Sequence, residues 1–348
     1  MIKNEFELYQ KVAGIDPENR MMGLAPAPPI RMEQFAPDGW RWEITGGVMA
    51  LWTFHGSEGA LAYQHQMLKA FESQNTRGFL YPLPLSDGRT YAQLGERQWF
   101  YFTSLPPPGR VSFGNLKDLE SVVELLVDFR KACERGGIWC CLPERKTTSN
   151  LLHRFQAILE HLKVFAALGK HRLRPTWFDR IFLQRLPEAE SQAIEAIRYL
   201  ETTRYFELWE RLTGQDLILN KLVRSNLRLT PKREAVCLRV HDFSWDPPII
   251  DLANLLVKTG RSAHWTPKWF SGVTGKYRES FSISDTEWEV IKAFLLFPWS
   301  FYRLASRYYY NRTEWSHETF ITKLERLWDD EPNRRQFLDE LLKKGGLI

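Results

Sequence analysis

The chain has 348 residues and a formal net charge of +5, and 44% of its residues are hydrophobic. This length and composition predict a globular protein with a sizeable core and exclude an intrinsically disordered chain. We expect no nucleic-acid partner, because the basic residues occur only in short runs. We also expect no membrane span, because no stretch approaches the ~18 apolar residues that cross a bilayer.

The first third of the chain predicts an antiparallel sheet and helices. Residues 1–20 have the pattern of an amphipathic helix, and helical spacing of apolar residues recurs over 59–75. The turn signals Pro37-Asp38-Gly39 and Thr45-Gly46-Gly47 separate short apolar stretches, which is typical of hairpins. We therefore expect strands at 30–35, 40–44, 47–54, 90–93 and 98–104.

Helical periodicity dominates after a proline-rich segment at 104–109. Within the helical part, a strand–loop–strand insertion carries Asn226 and Asp242. The two parts together predict a bilobal α+β fold, with a small β-rich N-lobe over residues 1–104 and a large helical C-lobe over 105–348. The predicted helices of the C-lobe are 116–134, 150–168, 188–213, 285–310 and 319–343.

The insertion has the spacing of a phosphotransferase active site. In kinase-like enzymes a catalytic-loop Asp accepts the substrate proton, an Asn five residues later binds metal, and a second Asp on the next strand holds Mg²⁺. Asn226 and Asp242 fit the two metal-binding positions, but the residue five before Asn226 is Lys221. An ammonium group accepts a proton only if its pKa falls by several units, so Lys221 is a poor base.

The order of elements and several short segments resemble a known family. The order resembles the protein-kinase-like fold in its aminoglycoside-phosphotransferase branch. More narrowly, the chain is similar to the spore coat kinase-like proteins of the CotS group, and within that group to the YutH type. The segments that carry the resemblance are 78–82 with 87–91, 125–130, 242–253, and 294–298 with 308–311.

The resemblance implies where the protein acts and with what. It implies other spore coat proteins as partners and the endospore coat as the final location. The first residues of the chain are too acidic and polar for a signal peptide, so we expect synthesis in the cytoplasm without one.

The resemblance also implies which positions carry catalytic groups in active relatives. The phosphate-anchoring Lys of the third strand falls on Trp52, and its Glu partner on the next helix falls on Gln64. The His that precedes the base falls on Leu219, and the base itself falls on Lys221. A glycine-rich phosphate loop is lacking between the first strands, where Pro37-Asp38-Gly39 offers one glycine and a carboxylate that would repel phosphates. These departures together predict a pseudokinase with no catalytic residues and no cofactor.

Alternatives stay open for the remaining polar residues. Asn226 and Asp242 either hold Mg²⁺ beneath ATP or only stabilise their loops. If they bind metal, the chain is a divergent phosphotransferase with another base, such as Asp246, or a nucleotide-binding switch without turnover. Asp251 is interpreted as structural, with its carboxylate capping a helix that starts at Leu252.

The segment 294–310 is rich in aromatic residues and has two interpretations. Its helical spacing favours rings that pack into the core. Alternatively, the segment exposes these rings as an interaction surface for coat assembly, since Trp and Tyr dominate interface hot spots.

Overall fold

The computed structural model describes residues 21, 23–36, 38–135, 150–213, 216–240, 243–310 and 313–343. The helix predicted over 1–20 and the metal-binding candidate Asp242 lie outside these residues. The described chain separates into two compact units. The first takes the described residues within Met1–Val111, Lys131–Arg145 and Arg224–Asp242, and the second takes the others. Each unit is thus discontinuous in sequence, and the predicted single boundary after residue 104 stays a prediction.

The first unit is built on an antiparallel sheet. Its strands are β1 (Arg31–Ala36), β2 (Gly39–Ile44), β3 (Gly47–His55), β4 (Pro82–Leu83), β5 (Ala92–Gly95) and β6 (Gln98–Ser104). The order is β1-β2-β3-β6-β4, and β5 also pairs with β6. Gly46 supplies a φ of 85° in the β2–β3 turn, which a residue with a Cβ adopts poorly. The strands predicted at 30–35, 40–44, 47–54 and 98–104 are confirmed within one or two residues.

The strand predicted at 90–93 begins two residues later than expected. The strand also ends two residues later than expected, because the tight turn to β6, in which Arg97 takes a φ of 55°, leaves Gly95 inside β5. The sequence Gly95-Glu96-Arg97 predicted the turn correctly but not its first residue.

Side chains of β3 alternate between two apolar clusters, as the two-residue period of a strand requires. Met49 and Leu51 join a cluster with Trp42, Phe100 and Phe102. Ala50 and Trp52 join a second cluster. This cluster also contains Leu61 of helix α1 (Glu58–Ser73), and two residues far along the chain, Val236 and Leu238. The members of this second cluster include Ala50, Trp52, Leu61, Tyr101, Val236 and Leu238.

A smaller sheet brings that late segment into the first unit. Strand β7 (Gly109–Arg110) pairs with β9 (Leu227–Leu229), which pairs with β10 (Ala235–Cys237). A Cβ on Gly109 would lie 2.5 Å from the Leu229 carbonyl oxygen, so the β7–β9 pairing depends on glycine. The Cys237 N–H also donates to the Gly78 carbonyl at 2.8 Å. Long-range backbone pairing therefore fixes residues 224–240 in this unit.

The second unit is mainly helical, with one small two-stranded sheet of β8 (Leu217–Ile218) and β11 (Ser244–Trp245). None of the helices in the described part of the chain has the length and apolar composition of a membrane span. Helix α2 (Leu116–Glu134) begins in this unit and ends in the first one. The other helices are α3 (Leu151–His171), α4 (Trp177–Glu201), α5 (Tyr205–Glu210), α6 (Ile249–Thr259), α7 (Pro267–Arg278), α8 (Asp285–Leu296), α9 (Trp299–Tyr309), α10 (His317–Asp329) and α11 (Glu331–Lys343).

Three of the predicted helices have different bounds, each for a local reason. The helix predicted at 188–213 begins earlier, because a capping box of Thr176 and Asp179 starts α4 and Pro187 is accommodated inside it. The helix predicted at 285–310 is two helices, since Pro298 has no N–H to continue the first one. The helix predicted at 319–343 likewise ends at Asp329 and resumes at Glu331.

The aromatic segment 294–310 packs mostly into the second unit. Phe294, Phe297 and Phe301 are buried, and Phe301 stacks on Phe182 with ring centroids 5.1 Å apart. Tyr310 is 41% exposed, whereas the other rings of this segment are buried or half-buried. The core interpretation is therefore correct for most of the segment, and the predicted interaction surface is wrong for its buried rings.

A buried arginine joins three helices of the second unit. Arg334 on α11 is 8% exposed. Its guanidinium donates to Glu331 Oε1 at 2.6 Å and to Gln192 Oε1 at 3.2 Å. It also donates to the carbonyls of Leu295 and Leu296 at 2.8 and 2.6 Å, which are end-of-helix carbonyls of α8. One side chain thus satisfies a buried carboxylate and two backbone acceptors.

Replacing Arg334 with Ala is expected to lower the free energy of unfolding by about 3–5 kcal/mol, because the buried Glu331 would lose its close cation and keep only Arg335, whose Nε lies 3.9 Å from Oε1. The neighbouring Arg335→Ala is the matched control: its pair with Glu195 is partly exposed and its contact with Glu331 is long, at 3.9 Å, so we expect a loss below about 1 kcal/mol. Urea unfolding of both variants measures the difference, and equal losses would contradict the role of the Arg334 network.

His65 on α1 is buried as a neutral imidazole in the first unit. Its side chain is hydrogen-bonded through Nδ1 to Thr90 Oγ1 at 2.9 Å, and its ring meets the edges of Tyr91 and Tyr101. Burial lowers the pKa of His65 from 6.5 to about 4, because the charged form loses its hydration. Between these two values the unfolded chain binds a proton that the folded chain does not.

His65 therefore makes the fold less stable as the pH falls from about 6.5 to 4. We expect the wild type to lose about 1–2 kcal/mol more than His65→Gln between pH 7 and pH 5. Urea unfolding of both proteins at the two pH values measures this difference. Buried carboxylates contribute equally to both proteins, so parallel pH profiles would rule out the effect of His65.

Candidate functional site

Trp52 stands where the resemblance implies a phosphate-anchoring Lys, and it is fully buried. Its indole N–H donates to Thr103 Oγ1 at 2.9 Å, and its ring meets the ring of Phe35 edge-on with centroids 5.2 Å apart. A Cβ on Gly39 would lie 2.7 Å from the indole, so the ring fills the space beside the β1–β2 turn. A neutral indole held in this way cannot pair with a phosphate.

An ion pair of the first unit lies beside this indole. The Arg239 guanidinium pairs with the Asp38 carboxylate, and its central carbon lies 5.6 Å from the centroid of the Trp52 ring. The two side chains are only 20% and 28% exposed. Asp38 belongs to the β1–β2 turn, the place of the glycine-rich phosphate loop in kinases. The turn thus presents a carboxylate, and the nearby cation is already neutralised by it.

Asn226, one of the two metal-binding candidates, is 2% exposed and its amide binds backbone. Its Oδ1 accepts from the Arg239 N–H at 3.0 Å, and its Nδ2 donates to the Arg239 carbonyl at 2.8 Å. Nδ2 also approaches Cys237 Sγ at 3.3 Å. This two-way pairing fixes the chain after β10, and a metal ion at Oδ1 would compete with the Arg239 N–H.

Gln64 on α1 is 4% exposed and lies on the same helix face as Leu61 and Leu68. Since Trp52 and Gln64 are both neutral, they cannot form the Lys–Glu ion pair that positions phosphates in kinases.

The loop before Lys221 belongs to the second unit and is held by a buried carboxylate. Asp251 is 3% exposed, and it accepts the N–H groups of Leu219 at 2.6 Å and Asn220 at 2.9 Å. The prediction that Asp251 caps a helix starting at Leu252 is wrong. Helix α6 begins at Ile249 and its N-cap residue makes no side-chain cap bond, so Asp251 already lies in the first turn and points to the loop.

A second residue of α6 fixes the same loop. Lys258 Nζ donates to the Asn220 carbonyl at 3.0 Å, and Asn220 Nδ2 donates to Ser244 Oγ at 2.7 Å. Because Asp251 and Lys258 are seven residues apart, they project from the same side of α6. Burial raises the pKa of Asp251 to about 6 and lowers the pKa of Lys258 to about 8. The backbone of Asn220 takes a left-handed conformation, with a φ of 59°, in this anchored loop.

The two motif residues on this loop differ in their surroundings. Leu219 is 2% exposed and packs into the unit, whereas Lys221 is exposed and its N–H donates to the Leu219 carbonyl at 2.6 Å. An apolar side chain thus occupies the predicted His position, and an exposed lysine occupies the predicted base position.

Asp246, the alternative base, is fully buried. Its Oδ2 pairs with the Arg154 guanidinium, and its backbone N–H donates to the Asp216 carbonyl at 3.1 Å. Burial raises the pKa of Asp246 to about 6, although Arg154 opposes this shift. A carboxyl group with that pKa has the basicity of a general base, but here it lacks the exposure needed to meet a substrate.

The structure therefore places the predicted residues in separate groups. Trp52, Gln64 and Asn226 lie in the first unit, Leu219, Lys221 and Asp251 lie in the second, and Asp242 is outside the described residues. Among the described residues, no three His, Cys, Asp or Glu side chains come together as a metal site would require. Sequence reasoning missed Arg239, because nothing in the local sequence indicates that its partner is Asp38.

Solved structures with the same fold include two phosphotransferases. An aminoglycoside phosphotransferase from Alicyclobacillus acidocaldarius superposes with a TM-score of 0.76 at 17% identity, covering 92% of this chain and 94% of that one. The AMP-bound spectinomycin phosphotransferase APH(9)-Ia superposes with a TM-score of 0.69 at 9% identity, covering 92% and 96%. At such identities the likeness establishes the fold alone, which is the kinase-like α+β fold of the aminoglycoside phosphotransferases.

Sequence matches narrow this class to one family. Residues 153–341, more than half of the chain, match the family described as "Spore coat putative kinase YutH", and the chain belongs to that family. Spore coat protein S of Bacillus subtilis (strain 168) is 25% identical over 173 residues. That match spans 47% of this chain and 47%, or about half, of the relative. The predicted fold class and the resemblance to spore coat kinase-like proteins are confirmed.

Asp251→Ala is expected to release the loop, because two buried N–H groups would lose their acceptor at a cost of about 1–3 kcal/mol each. Amide hydrogen exchange at Leu219 and Asn220 should accelerate together with this loss of stability. Asp285→Ala is the control, since Asp285 also lies in the first turn of a helix but is exposed, and its loss should stay within about 1 kcal/mol. Unchanged exchange in Asp251→Ala would contradict the anchoring role.

Proposed function

We propose that this protein is a structural or assembly component of the bacterial endospore coat whose kinase-like fold does not transfer phosphate. Family membership supports the coat assignment. The name of the relative, spore coat protein S, supports the same location. Other coat proteins are the partners that this proposal implies.

The observation that carries the loss of catalysis is the group of Trp52, Asp38 and Arg239. Phosphoryl transfer depends on cations and backbone donors that hold the phosphates and spread their charge. In this chain an indole stands at the Lys position, and the turn that should cradle phosphates contributes a carboxylate. Arg239 is the cation of this group, and the Asp38 carboxylate already binds it. Nucleotide phosphates would have to break this pair before the Arg239 cation became available.

The loop residues support the same proposal. Lys221 cannot accept the proton of an attacking hydroxyl group in its charged form. The Asn226 amide is already paired with the backbone of Arg239. The phosphotransferase alternative needs Asp242 and Asn226 to hold Mg²⁺ and Asp246 to act as base, yet Asp246 is buried against Arg154.

Nucleotide binding and turnover separate the three hypotheses. A ligand at one hundred times its Kd stabilises a protein by about 2.7 kcal/mol, which raises the melting temperature measurably. We expect no change in melting temperature with millimolar Mg²⁺ and ATP, and no transfer of labelled phosphate to water, to small acceptors or to the chain itself. A thermal shift without transfer would instead support the nucleotide-binding switch.

The decisive variant is Asp242→Ala, which removes the second metal-binding candidate. If the protein is structural, a fluorescent fusion of this variant should join the coat of sporulating cells as the wild type does. Phosphate transfer by the wild type that disappears in Asp242→Ala would overturn the proposal. Failure of the wild-type fusion to reach the coat would overturn the location independently of catalysis.

A further inference from the structure

The end of one helical hairpin in the second unit exposes apolar and basic side chains together. Helix α3 ends at His171 and α4 begins at Trp177. We name residues 163–180, the end of the hairpin with its connecting turn, the hairpin tip. All of its residues are described, and its sequence contains the short basic run Lys170-His171-Arg172-Leu173-Arg174.

Four large apolar side chains of the hairpin tip face solvent. Val164 is 50% exposed, Leu168 is 48%, Leu173 is 101% and Trp177 is 56%. Val164 and Leu168 are four residues apart and share a face of α3. The opposite, inward side of the hairpin is closely packed, since a Cβ on Gly169 would lie 2.9 Å from the Tyr309 hydroxyl. The exposed residues are therefore on the outside of a well-packed hairpin.

The charge of the hairpin tip is almost entirely positive. Its basic side chains are Lys163, Lys170, Arg172, Arg174 and Arg180, and its one acidic residue is Asp179. Asp179 is fully buried and accepts a hydrogen bond from Arg172 at 3.0 Å. The Arg180 guanidinium lies 5.9 Å from the centroid of the Trp177 ring. Lys163 is paired at 2.6 Å with Glu160, an exposed residue just before the hairpin tip. The outside of the hairpin tip thus offers Lys170, Arg174 and Arg180 interleaved with apolar groups, and its own carboxylate is buried.

We propose that the hairpin tip docks on an anionic lipid membrane surface. A lipid surface accepts protruding apolar side chains without a matching pocket, and its headgroup phosphates bind Lys and Arg. Trp177 has the amphipathic ring that favours the boundary between headgroups and acyl chains. Leu173, at the end of the hairpin and fully exposed, is the deepest-inserting residue in this arrangement. An acidic protein partner would need a pocket for Leu173, which an isolated protruding side chain does not suggest.

Co-sedimentation with vesicles tests this docking on the full chain. We expect binding to vesicles that contain phosphatidylglycerol and little binding to vesicles of phosphatidylcholine alone. Binding should fall steeply toward about 1 M salt, where the screening length is about 3 Å. Because each basic residue contributes about 1 kcal/mol at an anionic surface, Lys170→Glu with Arg174→Glu should weaken partitioning tenfold or more.

Matched variants separate the hairpin tip from general charge and hydrophobicity. Lys232→Glu with Lys268→Glu makes the same charge change at other exposed positions and should weaken binding far less. Leu173→Ser with Trp177→Ser should lower binding about tenfold or more through lost apolar burial, whereas Ile30→Ser, at a residue that is 72% exposed, should leave it unchanged. Circular dichroism should be the same for all variants, since these side chains are at the surface.

Two outcomes would overturn the proposal. The first is no binding to anionic vesicles at low salt, or binding that the control variants reduce as much as the hairpin-tip variants do. The second is a change of oligomeric state in Leu173→Ser with Trp177→Ser, measured by analytical ultracentrifugation, without vesicle binding by the wild type. That result would make the hairpin tip a contact between copies of this chain.

Discussion

The buried carboxylate of Asp251 fixes the loop on which the kinase-like motif depends. It accepts two backbone N–H groups, and Lys258 of the same helix binds the carbonyl of Asn220. These bonds hold the backbone of the loop at Leu219 and Asn220, and none of them involves the Lys221 side chain. The loop can therefore keep its shape with a Lys at the base position. A fold shared with phosphotransferases can therefore accommodate Lys221 at this position without a change in the anchoring of the loop.

In the first unit a cation and a carboxylate beside Trp52 pair with each other. A phosphate-binding site needs cations without a partner of their own, because a cation already paired with a carboxylate has little remaining attraction for an anion. Arg239 and Asp38 satisfy each other beside Trp52. Asn226 satisfies the Arg239 backbone in the same way. Our proposed function follows from this internal compensation, and it requires shape and surface rather than turnover.

Local sequence signals predicted many of the strands and helices. Contacts between residues far apart in the sequence could not be predicted in this way. Turn residues located β1, β2 and β3, and the lack of an N–H at Pro298 explains why one predicted helix is two. The helix predicted from residue 188 begins earlier, because the capping box at Thr176 starts α4 and Pro187 is accommodated within it. At the candidate site, the resemblance predicted Trp52 and Gln64 as departures. The partners of Asp251 and Arg239 could not be predicted, since sequence shows charges but not which backbone or side chain will meet them.

The discontinuous first unit has a consequence during protein synthesis. Val236 and Leu238 complete the apolar cluster around Trp52, yet the ribosome adds them long after β3. At about 5–20 residues per second, the sheet waits on the order of ten seconds or more before that face can be covered. The nascent chain therefore presents Trp52 and its neighbours to chaperones, or to other nascent chains, until residue 238 has emerged. We therefore expect the yield of folded protein to depend on whether this apolar face of the sheet is kept from aggregating before residues 236 and 238 cover it.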